Sequence, residues 1–205
     1  AELHCTTNFS FLQGGSHPEE LVSQAAALGY TSLAITDRAS LSGVVRAHAA
    51  AKESGIHLII GAAIEPIDAA PLVLWVANKK GYKNLCRLLT TGLLKQGCSK
   101  KYDGEIDGSE LRSRSPRCCL TADEVAAHAD GLLAGIPLTQ LLDPVESGAA
   151  LIRAWQDRLG KQLYGLAEVA MEGDDQERLL RYARLSHETH IPLVAAGDVR
   201  YHSRD

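Results

Sequence analysis

The sequence predicts an α/β fold, a distorted, closed or nearly closed (β/α)7-type barrel in which about seven strand-helix units surround a largely parallel sheet. Three observations carry this expectation. Apolar runs of strand length alternate with longer stretches of helical period along the chain. The 205 residues are 45% hydrophobic and 22% charged, enough apolar surface to bury one sizeable core. No internal repeat of fixed length accompanies the rhythm, which favours a closed barrel over a solenoid. One domain spanning residues 1–205 is the expected organisation.

The first helix is signalled by Ser16 as N-cap with Glu19 completing a capping box, by Pro18 in the first turn, and by Leu21, Ala25 and Leu28 on one face before Gly29. Thr31 to Thr36 reads as a buried strand ending at Asp37, followed by a helix from about Ser42 to Ser54 that Gly55 terminates. His57 to Ile64 and Leu72 to Ala77 read as strands, and Tyr82 to Leu94 as a helix. Residues 97–117 are rich in Gly, Ser and charge and are expected to form a long surface excursion. Thr121 and Glu124 form a second capping box, opening a short helix through His128. The remaining units are a strand from Gly131 to Ile136, a helix from Pro144 to Leu159, a strand from Gln162 to Val169, a helix from Asp175 to Thr189 and a last strand from Pro192 to Ala196. In such a barrel chemistry sits where strands run out into loops, here Cys5 to Gln13, Asp37 to Ser40, Ala62 to Glu65 and Gly197 to His202.

The charge balance, 21 basic against 25 acidic residues, gives −4, so no global field draws this piece to nucleic acid or anionic lipid. Five cysteines without metal-type spacing fit reduced thiols better than a disulfide framework. No run reaches the roughly 18 apolar residues of a membrane span, and no signal peptide is legible, so a soluble cytoplasmic protein is expected. The sequence opens on Ala1 and stops at Asp205 after a strand-like run, as a piece of a longer polypeptide would. Gly14-Gly15 lacks the rest of any phosphate-loop pattern and reads as a turn. The basic residues of the excursion, Lys100, Lys101, Arg112, Arg114 and Arg117, read either as a contact to DNA or a partner or as an ordinary solvated loop.

The opening, ELHCTTNFSFLQGGSHPEELVSQAAALGYTSLAITDRASLSG, resembles the start of the PHP domain at the N-terminus of bacterial C-family DNA polymerases. IIGAAI, LVLWVANKKGYKNLCRLL and PLVAAGDVRYH follow in that family's order, and ELHC with ITD and AAGDV resembles its error-prone branch. The resemblance implies a PHP-type barrel. It also implies, where members are active, a cluster of divalent metals held by His, Asp and Glu at strand ends that hydrolyses phosphate esters. It further implies that polymerase domains lie beyond residue 205.

Set against the family's ligand pattern, this chain departs at most positions. His4-Cys5-Thr6 stands for His-x-His, Gln13 for an acid, Asp37-Arg38 for Asp-His, Ala63 for a bridging glutamate, Pro71 for a histidine, and Asp198-Val199-Arg200 for Asp-x-His. His4 and Asp198 match outright, Asp37 keeps the acid of its motif, and Glu172 stands where a histidine is expected. A guanidinium has no lone pair for a metal and brings fixed positive charge. The expectation is a vestigial site, with no metal, cofactor or catalytic residue. Arg38 and Arg200 either fill the old cation positions, bonded to Asp198 or Asp37, or swing out to solvent.

The function implied is that of a structural and protein-interaction module of an error-prone DNA polymerase III α-like subunit serving replication, repair or translesion synthesis. Its partners would be the polymerase body of the same chain and other replication or mutasome proteins, with DNA met through the rest of the protein. The alternative is a divergent metal-dependent phosphoesterase or proofreading exonuclease using His4, Asp37, Glu172 and Asp198 with a divalent metal.

Overall fold

Alternating apolar runs and amphipathic stretches build one curled sheet with helices on its convex side. The computed structural model describes residues 1–95, 118–141, 145–169 and 173–203; the expected excursion at 97–117 and Glu172 lie outside the described residues. The strands are β1 Ser32–Ile35, β2 His57–Ile64, β3 Leu72–Val76, β4 Leu132–Pro137, β5 Leu163–Glu168 and β6 Leu193–Ala196. The helices are α1 Pro18–Ala27, α2 Val44–Ser54, α3 Lys79–Leu94, α4 Ala122–Ala127, α5 Val145–Leu159 and α6 Asp175–Thr189. The strands lie side by side in chain order.

The expected barrel of about seven units around a largely parallel sheet is corrected in two respects: the described residues form one curled sheet of six strands, and its pairing is mixed. β1–β2, β4–β5 and β5–β6 pair parallel, whereas β3 runs antiparallel to both β2 and β4. The connection from β2 to β3, residues 65–71, is shorter than the dozen or so residues that a parallel crossover needs, so the chain must turn back on itself. β2 is shared lengthwise. His57 to Ile60 pair with β1, and Gly61 to Ile64 pair with β3. A β-carbon on Gly61 would lie 2.5 Å from the Leu74 carbonyl oxygen, so only glycine fits at the changeover.

Closure comes from the N-terminal segment. Glu2 bridges Leu33 of β1, and Cys5 bridges Val199 beyond β6, both in parallel sense. The backbone of this segment exchanges hydrogen bonds with both sides: Ala34 N–H to Glu2 C=O (2.8 Å), Thr36 N–H to Cys5 C=O (2.8 Å), Val199 N–H to His4 C=O (2.8 Å) and Thr6 N–H to Val199 C=O (2.8 Å). The buried Glu2 carboxylate fastens the seam, its Oε1 accepting from the N–H groups of Leu3, His4 and Gly197 at 2.9 Å each.

Three apolar clusters fill the molecule. α1 and α2 pack Leu21, Val22, Ala47 and Ala51 on Leu33, Ile35 and Cys5. A larger group joins Leu85, Leu88, Val125, Ile152, Trp155 and Tyr182 to the outer faces of β2 to β5. The third, Ala34, Val73, Trp75, Leu166 and Ala196 with Leu3 and Val194 against it, contains no helical residue and fills the inside of the curl. There the Trp75 indole N–H donates to the Leu3 carbonyl at 2.8 Å, tying β3 to the N-terminal segment across the interior. Gly135 makes room for it: a β-carbon would stand 2.4 Å from Trp75 Cη2.

Local signals fared differently. The Thr121–Glu124 capping box and the left-handed Gly55 (φ 72°) are as expected. α1 starts one residue later than predicted, with Glu20 accepting from the His17 N–H (2.7 Å), while Ser16 instead accepts from the His202 N–H (2.7 Å). α3 begins at Lys79 because Asn78 caps it, its side-chain oxygen accepting from Gly81 N–H. Cys5, Cys86 and Cys118 are free thiols, but Cys119 is disulfide-bonded, which corrects the expectation of wholly reduced cysteines.

Removing the Glu2 carboxylate leaves three N–H groups at the seam without their acceptor. Glu2→Ala is expected to cost about 2–4 kcal/mol in urea unfolding and Glu2→Gln distinctly less; equal, negligible losses for both would show that the seam does not depend on this side chain.

Candidate functional site

The loops that leave the C-terminal ends of the parallel strands surround a mouth of about 510 Å3 at one end of the curl. His4, Thr6, Gln13, Arg38, Ala63, Pro71, Asp198 and Arg200 all line it, with Glu65, Pro137 and Glu168 between them and Phe11, Leu12 and Tyr201 at the side. Residues far apart in the sequence, chosen from it as expected ligand positions, thus converge on one cavity. Glu172 lies outside the described residues.

Asp37 does not line this cavity and is fully buried. Its carboxylate accepts from the Thr7 N–H (2.8 Å), the Thr7 hydroxyl (2.9 and 3.0 Å) and the Ser10 hydroxyl (2.8 Å). Gly43 closes the other side, where a β-carbon would come within 2.7 Å of Asp37 Oδ2. Ser10 also accepts from the Arg38 N–H (3.0 Å), so Asp37 organises the loop after the N-terminal segment. Burial pushes the Asp37 carboxyl above its ordinary value, and the hydrogen bonds from Ser10 and Thr7 offset part of that rise.

The two arginines differ from each other. Arg200 Nη2 lies 2.6 Å from Asp198 Oδ2, one of the pairings expected for it. Arg38 pairs with neither Asp37 nor Asp198 but with Glu65 Oε2 at 2.6 Å, across an open part of the rim where an ion pair contributes little. Asp198 sits at φ 46°, a left-handed conformation that aspartate tolerates better than most residues and that turns the chain sharply after Gly197.

Glu168 is the residue that sequence reasoning missed. It ends β5, buried, and its Oε1 stands 2.7 Å from His4 Nδ1 while its Oε2 accepts from the Thr139 hydroxyl at 2.5 Å. Its carbonyl accepts from the buried Tyr182 hydroxyl at 3.1 Å. The one signal available was an acid closing an otherwise largely apolar strand, LYGLAE, with no spacing to single it out. Asp198 Oδ1 lies 3.8 Å from the same His4 Nδ1, so both carboxylates address one ring nitrogen. With its Nδ1–H donated to Glu168, a neutral His4 ring keeps its acceptor at Nε2. Among the described residues no group of three or more His, Cys, Asp or Glu is arranged to hold a metal ion. The donor set fits a metal cluster poorly for a chemical reason as well: Asp37 is engaged by hydroxyl and amide donors, and two guanidinium groups bring fixed positive charge to the mouth.

Comparison with known proteins extends these observations. The sequence profile of the PHP domain matches residues 2–168. Error-prone DNA polymerase of Rhodopirellula baltica is 39% identical over 212 residues, covering all of this chain and 17% of the relative, and that of Dechloromonas aromatica is 38% identical, covering 98% and 18%. The chain therefore spans less than a fifth of the length of the curated relatives it matches. Among solved structures, a putative metal-dependent phosphoesterase from Bifidobacterium adolescentis superposes with a TM-score of 0.63 at 19% identity, over 98% of this chain and 87% of that one. The lesion-specific endonuclease Q of Pyrococcus furiosus gives 0.59 at 14% identity, over 98% and 48%. At these identities the structural likeness speaks for the fold alone. Among the described residues no helix is long and apolar enough to cross a membrane.

The raised carboxyl of Asp37 has a defined consequence for stability. A folded-state value above the unfolded one means the native state prefers the protonated acid, so the contribution of Asp37 is fully present below about pH 4 and is lost as pH rises through the folded value. Urea unfolding of the protein and of Asp37→Asn from about pH 4 to about pH 8 is expected to show the difference between them shifting in favour of the variant as pH rises. A shift in the opposite direction would mean that the hydrogen bonds outweigh burial.

Proposed function

We propose, from the premise that this chain belongs to the PHP domain family, that it forms the N-terminal PHP domain of an error-prone-type bacterial DNA polymerase and serves there as scaffold and docking module, not as a hydrolase. The observation that carries the non-catalytic part is the placement of Arg38 and Arg200 in the mouth, paired with Glu65 and Asp198, at positions where the family pattern has metal-binding histidines. A phosphoesterase of this fold requires carboxylates and imidazoles converging on divalent cations. In this reading the acids of the mouth spend their charge on arginine and histidine side chains instead. The polymerase chemistry, and any part in repair or translesion synthesis, belongs to the remainder of a polypeptide of the relatives' length, whose body is the first partner of this domain.

A second reading, a divergent metal-dependent phosphoesterase, draws on one arrangement: His4, Glu168 and Asp198 approach one another at strand ends. It differs from the sequence-based alternative in using Glu168 and leaving out Asp37, whose oxygens are taken by Thr7 and Ser10.

Full-length protein purified without chelator is expected to carry far less than one equivalent of zinc, manganese or iron by elemental analysis. It is also expected to show no metal-stimulated phosphatase or 3′–5′ exonuclease activity. Metal-stimulated turnover that disappears in His4→Ala and Asp198→Ala would establish the second reading. In the same protein, Arg38→His combined with Arg200→His removes two fixed charges and supplies two ligands; it is expected to tighten manganese binding by about tenfold or more in titration calorimetry.

A further inference from the structure

Charge is spread unevenly among the helices. α3 carries Lys79, Lys80, Lys83 and Arg87 and no acid, in a chain whose net charge is −4, whereas α1, α2, α4, α5 and α6 each contain at least one carboxylate. The buried side of α3 is Gly81, Leu85, Leu88, Leu89 and Gly92. At 3.6 residues per turn Lys79, Lys83 and Arg87 stand on the opposite side, each four residues from the next, and all three are exposed. The cations on either flank are already matched, Lys80 by Asp130 and Lys95 by Glu124. Among the described residues no carboxylate pairs with Lys79, Lys83 or Arg87. This placement does nothing for the helix itself. Like charges at i and i+4 repel, and cations in the first turn oppose the helix dipole. The last turn, where a cation would be favourable, holds none. α6 shows the ordinary solvated pattern instead, with Arg181 paired to Glu177 one turn away at 2.7 Å.

We infer that the outer face of α3 is a contact for the phosphate backbone of duplex DNA, made by this domain itself and separate from the mouth, which no α3 residue lines. The inference rests on the polymerase reading above for the presence of DNA. The shape of the charge singles out this partner. From Lys79 to Arg87 the line is about 12 Å long and one residue wide. A strand of duplex DNA presents a charge roughly every 3.4 Å along its axis, so the three cations follow one strand over about four phosphates. A flat anionic lipid surface calls for a broad patch, whereas here Lys80 and Lys95 on the flanks are neutralised. Ammonium and guanidinium groups on flexible stems reach phosphate oxygens without touching base edges, so the contact positions the domain and reads no sequence. With a net charge of −4 the domain as a whole is repelled by DNA, and the stripe determines which face it can present.

The test is fluorescence anisotropy of a labelled DNA duplex with the full-length protein, from about 50 to about 200 mM salt. Lys79→Gln, Lys83→Gln and Arg87→Gln are combined in one variant. Lys52→Gln, Lys161→Gln and Arg184→Gln, at three exposed positions away from α3, remove the same charge in a control. The α3 variant is expected to bind about tenfold more weakly, with the slope of log affinity against log salt shallower by about two to three, and Lys83→Gln alone by about one. The control is expected to match the parent. Relief of repulsion leaves the α3 variant melting no lower than the parent, which separates lost contacts from lost folding. An unchanged slope, an equal loss in the control, or lost adhesion to phosphatidylserine vesicles with DNA binding intact overturns the inference. Extension of a primed template by the same protein keeps the two readings apart: synthesis with an unchanged slope sinks this inference alone, and a parent that makes no DNA sinks the polymerase reading with it.

Discussion

Everything about the mouth depends on a short N-terminal segment held edge-on between β1 and the chain beyond β6. Its backbone hydrogen bonds complete two otherwise unpaired strand edges, and the Glu2 carboxylate gathers three N–H groups at the point where they meet. That geometry delivers His4 and Thr6 to the cavity and brings Asp198 and Arg200 round to face them. Trp75 then locks the arrangement from inside, since its indole N–H reaches the Leu3 carbonyl only if the curl has closed. The site is therefore a property of the closure, not of any one loop.

Within the mouth, charge is settled locally. Asp198 faces Arg200, Glu65 faces Arg38, and Glu168 holds His4 with the help of the Thr139 hydroxyl. A carboxylate that already accepts a charge-assisted hydrogen bond has less to offer a cation, because its desolvation has been compensated once. Asp37 has left this circle altogether. Buried under Gly43 and bonded to Thr7 and Ser10, it stiffens the loop that carries Gln13 instead of contributing to the cavity.

Much of this was legible in the sequence, for identifiable reasons. The strand cores are uninterrupted apolar runs, and the α4 cap is a Thr-x-x-Glu box, so both follow from local chemistry. The convergence of His4, Thr6, Arg38, Ala63, Pro71, Asp198 and Arg200 followed from family spacing at strand ends. What escaped were relations between distant residues. The reversed direction of β3 depends on how seven linker residues must turn, and an apolar strand reads alike in either sense. Ser16 looked like a cap but is claimed by His202, 186 residues away, and the partner of Arg38 proved to be an acid on the neighbouring strand end. Glu168 was passed over because a lone acid at a strand end carries no spacing that marks it, whereas Glu172 sat at a position the family pattern highlights.

The seam also sets an order of events in biosynthesis. Glu2 binds Gly197, a separation of 195 residues, so this segment is synthesised well before the edge on which it docks. At about 5–20 residues per second, the opening segment waits roughly 10–40 seconds for its docking edge to be made. During that interval the side of the N-terminal segment that later meets Val199 presents a bare edge, which makes the nascent chain a natural client for chaperones that shield strand edges.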